Sequence, residues 1–149
     1  MFRRLRFAIA LGVLIALTAA SVATADASNR KVVSSSMAGL ATPGTVVAGV
    51  TGAGAPWVIE EGSATLTAGG RLHVEVQGLV LTATGTNPVT SGLAVVSCAG
   101  AVAATTPAVP FSLTGDAEVD TTVSLPSPCL APVVFFTSPG GKWFAVTGF

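Results

Sequence analysis

Polar and apolar positions alternate cleanly over Arg71–Gln77, where Leu72, Val74 and Val76 point one way and Arg71, His73, Glu75 and Gln77 the other. The same period of two returns after Gly115. Ala117, Val119, Thr121, Val123 and Leu125 face inward, while Asp116, Glu118, Asp120, Thr122 and Ser124 face water, until Pro126-Ser127-Pro128 stops the strand. Two further runs are apolar on both faces, as covered strands are: Leu93–Cys98, and Val133-Val134-Phe135-Phe136 within 132–137, which belongs at the centre of a sheet. Shorter strands are expected at Trp57–Ile59, Ser63–Thr67, Leu79–Thr82, Val109–Thr114 and Trp143–Phe149. They are separated by Glu60-Glu61-Gly62, Gly69-Gly70, a bulge at Gly78, a loop over Thr84–Ser91, and Pro139-Gly140-Gly141. Beyond the N-terminal segment no stretch sustains a 3.6-residue period. The expectation is an all-β domain over 56–149, an antiparallel two-sheet sandwich, immunoglobulin-like in size, with seven or eight strands. Residues 26–55, rich in Gly, Ala, Ser and Thr, read as a flexible lead-in with one short strand at Thr45–Val50, since such chain loses much entropy on ordering and buries little.

The N-terminus has a different pattern. Arg3, Arg4 and Arg6 precede the apolar run Phe7–Leu17, and Ala23-Thr24-Ala25 fits a small-residue cleavage site, with Ala25-Asp26-Ala27 as a second. This is the layout of a helical export signal over residues 1–25, cut after 25 or 27. The apolar run is shorter than the roughly 17–25 residues of a spanning helix. An uncleaved anchor would have to place Thr18, Ser21 and Thr24 in lipid. Arg6 stands where the twin-arginine signal wants an apolar residue, so the general route fits better, and no cysteine follows the run to take a lipid.

Removal of residues 1–25 leaves four bases (Arg30, Lys31, Arg71, Lys142) against seven acids (Asp26, Glu60, Glu61, Glu75, Asp116, Glu118, Asp120), a net charge of −3. No basic patch remains to hold nucleic acid or an anionic membrane, and no membrane association is expected after cleavage. An exported chain with two cysteines most simply pairs them, so Cys98 and Cys129 are expected to form a disulfide. A thiol nucleophile or thiolate metal site would want histidine nearby, and the chain has only His73.

Candidate chemistry is sparse. His73 and Glu75 share a strand face about 6–7 Å apart, which suits an acid–base pair only if a nucleophile arrives from elsewhere; no G-x-S-x-G elbow occurs. Asp116, Glu118 and Asp120 fall at period two, spread over more than ~12 Å of flat strand. That is too far for one calcium ion, unless the Gly115 turn folds Asp116 back onto a neighbour. A solubilising face explains them more simply. Trp57 and Trp143 are the possible binding aromatics, Trp143 the better surface candidate because Lys142 and a Gly-Gly turn adjoin it; core or strand-edge packing is the default reading for both. Trp143, Ala145, Thr147 and Phe149 also alternate to a terminal phenylalanine, like the sorting signal of outer-membrane barrels, although the candidate strands are short for a barrel and no Tyr is present for an aromatic girdle.

The run from Trp57-Val58 through Gly62-Ser63-Ala64 and Gly70-Arg71-Leu72 to Gly78-Leu79-Val80 resembles small exported proteins of unknown function from actinobacteria and related bacteria. So do Ser97-Cys98-Ala99-Gly100, Pro128-Cys129-Leu130-Ala131-Pro132 and the ending Trp143-Phe144-Ala145-Val146-Thr147-Gly148-Phe149. The resemblance implies an exported β-domain with a cysteine pair, and brings no activity, cofactor or catalytic residue. The function expected is that of a secreted or envelope protein without enzymatic activity or cofactor, structural or interactive in role. A cell-surface protein or a glycan is the alternative partner class for a binding module, carried by Trp143 or the Thr84–Ser91 loop. An extracellular hydrolase is disfavoured by the single histidine.

Overall fold

The computed structural model describes residues 27–148; the expected signal over 1–25 and Phe149 lie outside the described residues. After a helical turn at 27–29, the strands in chain order are β1 (Lys31–Gly39), β2 (Val46–Val47), β3 (Val50–Thr51), β4 (Trp57–Val58), β5 (Glu61–Thr67), β6 (Arg71–Gln77), β7 (Val80–Leu81), β8 (Ser91–Cys98), β9 (Ala101–Thr105), β10 (Val109–Pro110), β11 (Ala117–Thr122), β12 (Val133–Thr137) and β13 (Trp143–Thr147). The main sheet runs β10-β8-β12-β13-β1-β5-β6-β11, with β9 beside β10 on the outer edge of β8. All its strand pairs are antiparallel.

The two sheets expected from the sequence are two halves of one curled sheet. The joint is β1, whose residues 31–36 pair with β5 while Met37, Ala38 and Gly39 pair with β13. The halves share one core: Leu66, Leu72, Val74 and Val119 from the first half pack in the same cluster as Val96, Val134, Phe136 and Val146 from the second. Fully burying each such side chain is worth about 1.5–3 kcal/mol.

The assignment of 26–55 as a flexible lead-in is corrected here. Lys31–Gly39 is the central joint, and the stretch from Leu40 to Pro56 lies across the outer face of the second half. There the amide of Ala53 donates to the carbonyl of Trp143 at 3.0 Å and Ser97 Oγ donates to the carbonyl of Ala48 at 2.7 Å. That cover is why β8, β12 and β13 are apolar on both faces. Among the described residues nothing covers the outside of the first half, and β6 alternates buried and solvated positions along its length.

The expected strand Thr45–Val50 is likewise a hairpin of β2 and β3, broken at Ala48 and Gly49. Both have positive φ, 43° and 82°, the signature of a type I′ turn. Ala99 (φ 53°) and Gly100 (φ 79°) repeat this turn between β8 and the unanticipated strand β9. The two turns touch: a Cβ on Gly49 would collide with the carbonyl of Gly100. Since a left-handed alanine is strained, the hydroxyl of Ser97 holds the cover where it most needs holding. Ser97→Ala is therefore expected to lower stability by about 0.5–1.5 kcal/mol and to speed amide exchange over Val46–Thr51. Unchanged exchange there would show that the cover does not depend on this bond.

The disulfide forms as expected: Cys98 and Cys129 are bonded, with Cα atoms 5.1 Å apart. Beside it the amide of Ala99 donates to the carbonyl of Leu130 at 2.6 Å. The expected central position of 132–137 also holds, since β12 lies between β8 and β13. The expected strand over Val109–Thr114 is shorter, because residues 112–116 turn to enter β11.

Candidate functional site

The uncovered outer face of β5, β6 and β11 collects most of the acidic residues, with Arg71 the base on β6 beside them. Glu60, Glu61, Glu75, Asp116, Glu118 and Asp120 lie on these strands or the turns entering them, and β8, β9, β10, β12 and β13 carry no charged residue. Strand register sets Ser63, Glu75 and Glu118 in one row and Thr65, His73 and Asp120 in the next. Glu75 thus stands directly opposite Glu118, an unfavourable like-charge pair. Gln77 Nε2 donates to Glu75 Oε1 at 2.7 Å, while His73 Nδ1 lies 3.8 Å from Glu118 Oε1. The partner of His73 is therefore Glu118 on the neighbouring strand. Among the described residues no lysine or arginine forms an ion pair with any of these carboxylates. Glu60, Glu61, Ser63 and Gln77 border a hollow of about 380 Å³ on the same face.

Asp116 differs from the others because the turn before β11 is built around it. Thr114 Oγ1 donates to its Oδ2 at 2.6 Å, the amide of Gly78 donates to Oδ1 at 3.1 Å, and Ser112 Oγ donates to Oδ2 at 3.2 Å. The hydrogen bond from Thr114, followed by those from Gly78 and Ser112, holds the carboxyl below its ordinary value against a small opposing effect of burial. The carboxyl faces its own turn, and among the described residues no three acidic, histidine or cysteine side chains are grouped to hold a metal ion. Because the folded-state value lies below the unfolded one, these bonds stabilise the fold at pH above the ordinary carboxylate value. That stabilisation is lost as pH falls from there through the lowered value. In Asp116→Asn, the acid limb of a plot of Tm against pH is expected to flatten. A limb of unchanged steepness would show that the carboxylate does not contribute.

Neither tryptophan is at the surface: the default reading of packing holds for Trp57 and Trp143, and their alternative role as exposed binding aromatics does not. Each is only 4% exposed. Trp57 packs inside, its ring centroid 4.2 Å from that of Phe144. Trp143 points outward from the sheet but under the cover, where its Nε1 donates to the carbonyl of Thr45 at 3.0 Å. Lys142 and the Gly-Gly turn mark the end of β13 and say nothing of the ring, which a segment far away in sequence conceals. The Thr84–Ser91 loop is pinned by buried Asn87, whose Nδ2 donates to the carbonyls of Val89 and Ser112 at 2.6 and 2.8 Å. An asparagine beside Pro88 reads in sequence as a turn former, and this anchoring role is not visible there.

A sheet edge missing from the sequence reading completes the site. β11 ends the sheet beyond β6. The amide of Val123 donates to the carbonyl of Gly70 at 2.9 Å, which sets the phase of the antiparallel ladder. Odd-numbered residues of β11 bond to β6, and the amides and carbonyls of Glu118, Asp120 and Thr122 point away from it. Thr122 opens onto a groove of about 330 Å³ whose far wall is Ala103–Pro107 and whose near wall is Thr121–Ser124.

Comparison with family models, curated proteins and solved structures finds no match for the chain. Among the described residues no helix is long and apolar enough to cross a membrane.

Proposed function

We propose that this chain is an exported protein without enzymatic activity, acting in the envelope or the extracellular space as a structural or interaction module of immunoglobulin-like size. The observation that carries the reading is the Cys98–Cys129 disulfide, because such bonds persist in oxidising compartments and are rare in reducing ones. The arginine-led apolar segment with its Ala-x-Ala site and the likeness to small exported actinobacterial proteins support the same placement. The acidic, uncovered face of β5, β6 and β11 favours a protein partner over a glycan, since the two tryptophans suited to stacking on sugar rings are enclosed. An outer-membrane barrel needs an outward apolar band, whereas the exterior here is acidic on one half and overlaid by residues 40–56 on the other.

Intact mass of the protein from each fraction of its own host, with and without reduction before alkylation, tests the proposal. The expected species is outside the cell, ends its leader at residue 25 or 27, and lacks the two thiol hydrogens. A full-length species held in the membrane with two alkylatable thiols would overturn it.

A further inference from the structure

We propose that the open edge of β11 receives an extended cationic segment of a partner protein as an added strand. The inference rests on the reading of this chain as an interaction module and supplies the chemistry of its partner.

An added strand needs unpaired main-chain groups in register. β11 offers them at Glu118, Asp120 and Thr122, whose side chains are all exposed. The other end of the sheet approaches the start of this edge, where β10 comes within 8 Å of β11. The 112–116 turn leads from β10 into β11, so the two begin together and part along their length, leaving the groove between β11 and Ala103–Pro107.

Side chains of an added strand fall alternately to the two sides. On the outer side they meet Glu118 and Asp120, with Glu75 one strand further in and Arg71 behind Thr122, so the acidic part of the edge is its Glu118–Asp120 end. On the groove side they meet Val123 and the small residues Ala103 and Ala104. The segment that fits has Lys or Arg at every second position and Val, Thr or Ala between. Charge also selects against a second copy: pairing β11 with itself would bring the Glu118 and Asp120 carboxylates of two molecules together, a repulsive arrangement that protects sheet edges. A basic strand turns the same residues from a barrier into a recognition element, and relieves the unfavourable Glu75–Glu118 juxtaposition as it binds.

The test uses the full chain with its disulfide intact and the capped peptide Lys-Val-Lys-Thr-Lys-Val. Three measurements decide it: the Kd at low and high salt, amide exchange at Glu118, Asp120 and Thr122, and the Kd of the same peptide N-methylated at every main-chain nitrogen, which keeps the charge and loses the main-chain donors whichever way the added strand runs. The expected result is slowed exchange at those three amides, weaker binding at high salt, and at least about tenfold weaker binding of the N-methylated peptide. Thr122→Pro removes an outward amide without removing charge or a bond to β6, and is expected to weaken binding similarly. Glu118→Gln with Asp120→Asn is expected to reduce the salt dependence markedly, leaving the part due to Glu75. Equal binding of both peptides would reduce the site to nonspecific adhesion on an acidic face and overturn the proposal, as would unchanged exchange at the three amides or self-association of the chain through β11. The peptide comparison stands even if Thr122→Pro fails to fold. Failure of peptide binding leaves the export reading untouched, and an intracellular location would leave the peptide result untouched.

Discussion

Phe136→Ala is expected to lower the unfolding free energy by about 3–5 kcal/mol, a large part of the roughly 5–15 kcal/mol that holds an ordinary domain together. Phe136 is completely buried. Its ring meets Phe111 edge to face, centroids 5.1 Å apart, and Phe111 in turn lies against Trp57 and Phe144 at 6.3 and 6.1 Å. These four aromatics come from β12, the residue after β10, β4 and β13, so one truncation loosens the packing between β12, β10 and β4, which the hydrogen-bond ladder does not directly join. The residues facing it on β8 are small: Ala94 is its register partner, and Gly92 lies so close that a Cβ there would collide with the Phe136 ring. Phe136→Leu retains most of the volume and should cost less than about 1.5 kcal/mol. Denaturant unfolding checks both, with Trp57 fluorescence as a local probe that should shift in the alanine variant. A loss under 1 kcal/mol for alanine would mean that the site collapses readily, contrary to close packing.

Parts of this architecture can be read directly from the chain, and the reason is burial. Arg71–Gln77 and the segment after Gly115 alternate because one face of each strand meets the core and the other meets water, and both form strands in that sense. Val133–Thr137 is apolar on both faces and is central. The missed elements are held by main-chain geometry that leaves little trace in side-chain polarity. β1 reads Lys-Val-Val-Ser-Ser-Ser-Met-Ala-Gly, and only Val33 and Met37 are buried in it. Its importance lies in changing partners from β5 to β13, where small residues suit the crossing. β9 escaped because Ala99-Gly100 forms its hairpin turn without the Asn-Gly or Asp-Gly pair that announces one.

A clue to the cover was nevertheless present. Leu93–Cys98 and Val133–Phe136 demand apolar partners on two sides, and no strand expected within 56–149 was left to supply the second. Residues 40–56 supply it, and conceal Trp143 in doing so. The candidate site shows the same division. The carboxylates at period two are plain in the sequence, but that they border an unpaired edge depends on which strand ends the sheet, and only the pairing decides that.

Breaking the disulfide in a Cys98→Ala/Cys129→Ala double variant is expected to lower stability by ~3–4 kcal/mol on the chain-entropy account, given a sequence separation of 31 between the two residues. The double variant is the cleaner test, since a single substitution leaves a free thiol beside a nearly buried position (Cys98 is 7% exposed). Between the two cysteines lie β9, β10, the Asp116 turn and β11, which means both margins of the open groove. The covalent link thus closes off the stretch of chain that the ladder secures least, because β9, β10 and β11 are each bonded to a strand on one side only. Loss of the link should therefore accelerate amide exchange over Ala101–Thr122 well before the β12–β13–β1 centre is affected, and limited proteolysis should cut first in that stretch. If the double variant unfolds as one unit with uniform exchange, the bond acts on the whole domain through the unfolded chain alone. If instead its stability is within 1 kcal/mol of the native protein, the fold does not need the bond. The cysteine pair would then be a weaker argument for an oxidising compartment than its geometry suggests, and the placement of this protein would rest on its N-terminal segment.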